Sequence, residues 1–137
     1  MEPIVTEQPA SASHCFVCGP ENPIGLHLTF RLENNICRAE FTPQSQHCGY
    51  SGITHGGIIF SALDDVMANW LVLQGKRAYT AKVDLRYKDS LPTGTPVRLE
   101  GHCLKSRGRL FMMRGLMVRI DNEQTIAECD ASFMLSA

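Results

Sequence analysis

The sequence predicts an α+β fold, a curved antiparallel sheet of about six strands wrapped around one central helix. Three observations predict it. Only one stretch, Ile58 to Leu73, is long, free of Pro and Gly, and built from good helix formers. Alternating apolar segments occur twice before it and four times after it. The connectors between those segments are short turns, which make strand neighbours antiparallel and leave no room for crossover helices. A helix apolar on nearly every side is a buried one, so the sheet must curve to receive it.

In chain order, residues 1–13 read as a flexible N-terminal arm and 14–137 as a single domain. The turn-rich loop Cys18-Gly19-Pro20-Glu21-Asn22-Pro23-Ile24-Gly25 leads in. Leu26, Leu28, Phe30 and Leu32 then alternate with polar residues as a half-buried strand, and Glu33-Asn34-Asn35 turns the chain. Ile36 to Thr42 returns with Cys37, Ala39 and Phe41 on one face. Pro43 to Thr54 has no strong period and reads as a loop into the helix. Beyond the helix, Tyr79, Ala81, Val83, Leu85 and Tyr87 form one face of the clearest strand, with Thr80, Lys82, Asp84 and Arg86 on the other. Pro96 to Lys105 and Arg109 to Ile120 follow; the run Leu110 to Met113 suggests burial on both faces. Thr125 to Leu135 closes the chain, with Ala127, Cys129, Ala131, Phe133 and Leu135 facing one way.

The helix carries two acids. Asp65 has Ser61 and Asn69 one turn away on either side, a narrow polar stripe, whereas Asp64 has Phe60 and Ala68. A carboxyl among apolar groups is costly to ionise, so Asp64 is expected to have a raised pKa. Just upstream stands His55-Gly56-Gly57. Two glycines allow a tight turn and close approach of another molecule. Amides at a helix start are unpaired and lie at its positive end, which suits a polarised carbonyl oxygen.

A formal net charge of −1 and the lack of any basic run argue against nucleic acid as a partner. The sixteen residues of the helix are too few to span a bilayer comfortably, and Asp64, Asp65 and Asn69 interrupt it. Residues 1–13 have neither a basic start nor an apolar run, so a cytoplasmic location is expected. The six cysteines are then expected to be free thiols. Cys15 and Cys18 have the spacing of a metal knuckle, but no second matching pair follows, and no metal is expected.

His55-Gly56-Gly57 followed after six residues by Asp64, on the one helix of this strand order, resembles the hotdog-fold thioesterases. The likeness is to their phenylacetic-acid-degradation-type branch of acyl-CoA thioesterases and covers about residues 14–135, the loop Cys15 to Leu26 included. The resemblance implies hydrolysis of an acyl-coenzyme A, with Asp64 as general base or nucleophile and the Gly57 amide holding the carbonyl oxygen. It gives His55 and Gly56 places beside the thioester, and it matches Thr80 to a Ser or Thr that relatives supply from the partner subunit. Many relatives have an Asn or Gln where this chain has Gly49; Gln46 is the nearest substitute, and Tyr50 is a candidate pocket residue. Lys82, Arg107 and Arg109 are candidates for the phosphates of coenzyme A. No cofactor is implied beyond coenzyme A as part of the substrate. A homodimer, or a dimer of dimers, is implied, with active sites at the seam. The other readings of the same fold are a non-catalytic acyl-CoA-binding module and an acyl-thioester hydratase or dehydratase, the latter disfavoured by the nine-residue step from His55 to Asp64.

Overall fold

A computed structural model describes residues 3–136. Its elements are β1 (Arg31–Glu33), β2 (Ile36–Phe41), α1 (Gly56–Val72), β3 (Ala78–Tyr87), β4 (Val97–Arg107), β5 (Leu110–Arg119) and β6 (Thr125–Leu135), with short 3-10 turns at Ala10–Ala12 and Ser45–His47. All strand pairs are antiparallel, and the sheet runs β1-β2-β4-β5-β6-β3. The fold class expected from the sequence is the one observed.

The sheet curves because three of its ladders slip by one residue. The extra residues are Ala81 in β3, Leu104 in β4 and Ile126 in β6. Each such bulge bends its strand and increases the local twist. The concave face receives α1, and Ala62, Leu63, Val66, Met67 and Leu71 of that helix are fully buried against it. Burial of each large side chain there contributes roughly 1.5–3 kcal/mol. The helix comes unusually close at one place, where Gly101 of β4 sits opposite Gly115 of β5. A Cβ on Gly101 would lie 2.3 Å from the Val66 carbonyl oxygen. Only a glycine leaves room for backbone on backbone there, so this contact fixes the height of the helix above the sheet.

Two sequence expectations need correction. Leu26, Leu28, Phe30 and Leu32 are buried in alternation, as their spacing required. Only Arg31–Glu33 of that segment is a strand, because the stretch before it pairs with the preceding loop: Leu26 N–H donates to Phe16 O and Leu28 N–H to Val17 O. The period reported which side faces the core, not which backbone lay alongside. In β5, Phe111 and Met113 are buried while Leu110 and Met112 are half-exposed, so the run is covered on one face only. Ahead of the first strand, Val5 exchanges backbone hydrogen bonds with Leu32. No helix among the described residues is long and apolar enough to cross a membrane.

Candidate active site

The helix start is built by its own loop. His55 is the N-cap of α1, and its Nδ1 accepts from the Gly57 N–H at 2.8 Å. That bond requires the tautomer with the proton on Nε2. The His55 N–H donates to His47 O, which ties the cap to the 3-10 turn behind it. The Gly56 carbonyl accepts from the Tyr87 hydroxyl at 2.7 Å, so the far end of β3 holds the first turn of the helix. Among the described residues, the Gly57 amide is thus already engaged, whereas the Gly56 N–H has no partner.

Eight residues further along α1, β3 reaches the helix a second time. The Thr80 hydroxyl donates to Asp64 Oδ1 at 2.7 Å, within one chain. Strict alternation along β3 places Thr80 with Lys82 on the outer face. The bulge at Ala81 reverses this: Thr80 pairs with the buried Phe133, and Lys82 with Ser132. Upstream of the bulge, Thr80 therefore shares the concave face with Val83 and Leu85. Burial holds the Asp64 carboxyl above the usual carboxylate range, and the Thr80 hydrogen bond pulls the other way.

Burial reasoning from helix neighbours singled out Asp64, yet Asp65 is the deeper of the two. Desolvation pushes it up to about 6. Ser61 does not contribute to a polar stripe beside it, because its hydroxyl donates to Gly57 O at 2.8 Å. Asp65 is covered instead by the N-terminal loop, whose Cys15 and Cys18 thiols face its carboxylate.

A cleft of about 400 Å³ opens beside the helix start, lined by Gly49, Tyr50, Ile53, Thr54, His55 and Gly56. Tyr50 is largely exposed on its rim. The Thr54 hydroxyl is buried with no hydrogen-bond partner among the described residues. A Cβ on Gly49 would meet the His55 side chain and backbone at 3.4–3.7 Å, an ordinary contact distance. Gln46 is exposed on the Ser45–His47 turn and stands outside this lining. Trp70 donates from Nε1 to Asn35 O and packs against Phe111, so it belongs to the core.

Of the candidate phosphate-binding cations, Lys82 lies on the outer face of β3, in a hollow with Leu104, Met112 and Ser132 that the carboxylates of Asp84 and Asp130 also line. Arg107 lines a neighbouring hollow with Lys105, Ser106 and Leu110. Among the described residues neither has an acidic partner. Arg109 is committed: its guanidinium donates twice to Leu135 O. Tyr87 was not singled out from the sequence as a site residue. Its signal was there, a phenol at the end of an inward-facing row, but nothing sequential pointed to Gly56.

The sequence profile of the thioesterase superfamily matches residues 51–126, more than half of the chain. No curated protein matches significantly. A solved structure described as a thioesterase superfamily protein is 27% identical over 89% of this chain, with a TM-score of 0.82; this chain spans only 60% of that one's length. A hypothetical thioesterase of Streptococcus pneumoniae TIGR4, solved with coenzyme A, is 12% identical with a TM-score of 0.72, over 77% of this chain and 85% of its own. Its Asp-to-Ala and Thr-to-Ala variants have also been solved, at positions sixteen residues apart. The PaaI protein of the E. coli phenylacetic acid degradation operon is 15% identical with a TM-score of 0.75, covering 82% of this chain and 81% of its own. The shared architecture is the hotdog fold.

Proposed function

The chain belongs to the thioesterase superfamily, and from that premise we propose that it hydrolyses an acyl-coenzyme A thioester to the free acid and coenzyme A. The observation that carries this reading is the Thr80–Asp64 pair, a half-buried carboxylate with one oxygen held by a hydroxyl at 2.7 Å. Among the described residues, Oδ2 has no hydrogen-bond partner and is left to act. The sixteen-residue step from Asp64 to Thr80 equals the step between the two residues replaced in the pneumococcal protein, which supports the pairing.

As general base, Asp64 takes a proton from water while the water oxygen bonds to the acyl carbon. The carbonyl oxygen becomes an oxyanion, the C–S bond breaks, and the sulfur leaves as the coenzyme A thiol once protonated. As nucleophile, Asp64 itself bonds to the acyl carbon and expels the thiolate, and water then cleaves the mixed anhydride. In either route the oxyanion is met by an amide of the helix start. Gly56 offers its N–H directly, and Gly57 does so once His55 releases it. The reaction needs no cofactor beyond coenzyme A as part of the substrate.

One chain does not supply the whole site. Gly57 and Asp64 are seven residues apart on α1, about 10 Å along its axis, whereas a reacting carbonyl must lie about 3 Å from both the acid and the oxyanion donors. A second copy closes the gap by bringing its helix start to the acid. β3 is an edge strand whose Tyr79 and Tyr87 are exposed, and pairing of two such edges would form a homodimer and cover them. Lys82 and Arg107 then stand on the outer face for the phosphates, with Tyr50 at the cleft for the acyl group.

The engagement of the Gly57 amide by His55 and the absence of an amide side chain at Gly49 favour one rival, a non-catalytic acyl-CoA-binding module. The deciding experiment follows thioester absorbance over a panel of acyl-coenzyme A esters, wild type beside Asp64→Asn. Turnover by wild type alone supports hydrolysis. Binding of the esters with no turnover by either protein gives the rival its place, and Gly49→Asn, whose Cβ would meet His55 at ordinary contact distance, should then confer activity.

A further inference from the structure

On the side of α1 away from Asp64, three ligand-type groups meet from two distant parts of the chain. Cys15 Sγ, Cys18 Sγ and an Asp65 carboxylate oxygen all lie within 4.8 Å of one another. Cys15 Sγ stands 3.9 Å from both Asp65 oxygens, so its thiol makes only a weak, divided contact. In tetrahedral zinc with two thiolates and a carboxylate, sulfur–sulfur and sulfur–oxygen separations are roughly 3.8 and 3.5 Å. The three atoms are therefore within small side-chain adjustments of a coordination shell.

Both halves of the cluster are held in advance. Gly19 N–H donates to Cys15 O at 2.8 Å, and Leu26 and Leu28 pin Phe16 and Val17. The Asp65 side is fixed by the helix, and Asn69 Nδ2 donates to Asp65 Oδ2 at 3.1 Å. Asn69 is itself buried, and Gln8 reaches its Oδ1. An amide that orients a carboxylate in this way is what surrounds a ligating oxygen in metal sites. Cys18 is buried and Cys15 is half-buried, so the cluster has one approachable side. Two sulfurs and one carboxylate select a borderline-soft divalent ion of tetrahedral habit over magnesium or calcium.

We propose that Cys15, Cys18 and Asp65 bind a single zinc ion, with one coordination position left to solvent, which staples the N-terminal loop to the central helix. In the sequence the knuckle spacing of Cys15 and Cys18 stands without further ligands, because the third comes not from a second cysteine pair but from the helix. The site is separate from the proposed catalytic one and stands or falls without it.

The test uses the full-length protein, reduced with a phosphine, stripped by chelation and titrated with Co²⁺. A thiolate-to-cobalt charge-transfer band should appear, saturate at one ion per chain and vanish on addition of Zn²⁺. Asp65→Asn should weaken the affinity roughly a hundredfold or more. Cys15→Ser should remove most of the band, and because Cys15 is half-exposed this variant reads even if Cys18→Ser does not fold. Asp64→Asn should bind as wild type does, whatever its activity. The proposal is overturned if the reduced, folded wild type develops no such band, or if the band persists unchanged in Cys15→Ser, which would place the ion on other thiols.

Discussion

The two sides of α1 that carry Asp64 and Asp65 differ in what covers them. Asp64 faces β3, an exposed edge strand, and receives one hydroxyl. Asp65 faces the N-terminal loop and receives two thiols and an amide. Burial raises the pKa of both. The partners decide the chemistry. A single hydroxyl steadies a carboxylate and leaves its second oxygen unpartnered, whereas two nearby thiols and an orienting amide suit the neighbouring carboxylate to the metal site proposed above.

The contrast breaks if the two acids respond alike. Asp64→Asn should lower ester turnover by about 10²–10⁴-fold, the range for loss of a positioned base, while Asp65→Asn lowers it by less than tenfold; equal losses in kcat would erase the distinction. Zinc should reverse the ranking: added to the stripped protein, it should raise the thermal midpoint of wild type and Asp64→Asn clearly more than that of Asp65→Asn, as read by calorimetry. Thr80→Val keeps the shape and removes the hydroxyl. It should cost roughly ten- to a hundredfold in kcat. Since the Thr80 bond holds Asp64 down, the acid limb of the pH–rate profile should also move to higher pH in this variant; an unmoved limb would separate the hydroxyl from the acid.

Gly101→Ala tests what the two sides share. A Cβ 2.3 Å from the Val66 carbonyl must lift the helix, at a cost of about 1–3 kcal/mol in urea denaturation. Turnover and cobalt affinity should fall together. The smallest effect is expected from Arg107→Gln: a few-fold rise in KM for the ester that fades as salt is added, with kcat and cobalt binding unchanged.

The helix, its His-Gly-Gly start and the strand order were legible because each is local: propensity, a turn signal and short connectors. Asp64 was found through its neighbours on the helix, but the same reasoning missed that Asp65 lies deeper, since the loop that covers it is some fifty residues earlier in the chain. The cysteine pair was legible as a motif and illegible as a site for that reason. The pairing partner of Leu26 and Leu28 was lost in the same way. Thr80 was named through the family resemblance, and alternation set it with Lys82 on the other face. A bulge depends on how β6 lies alongside, which no pattern within β3 reports.

That bulge has a consequence for how such chains can change length. A chain that lost the codon for Ala81 would keep Thr80 opposite Phe133 and its hydroxyl toward the helix, with the ladder simply made regular. A codon lost two to four positions later, among the paired residues from Val83 to Leu85, would also use up the bulge, but it would slide Lys82 inward to lie opposite Ala131. Deletions in this strand are therefore unequal: a gap at residue 81 leaves every remaining side chain on its own face, whereas a gap among 83–85 turns the Lys82 ammonium toward the core.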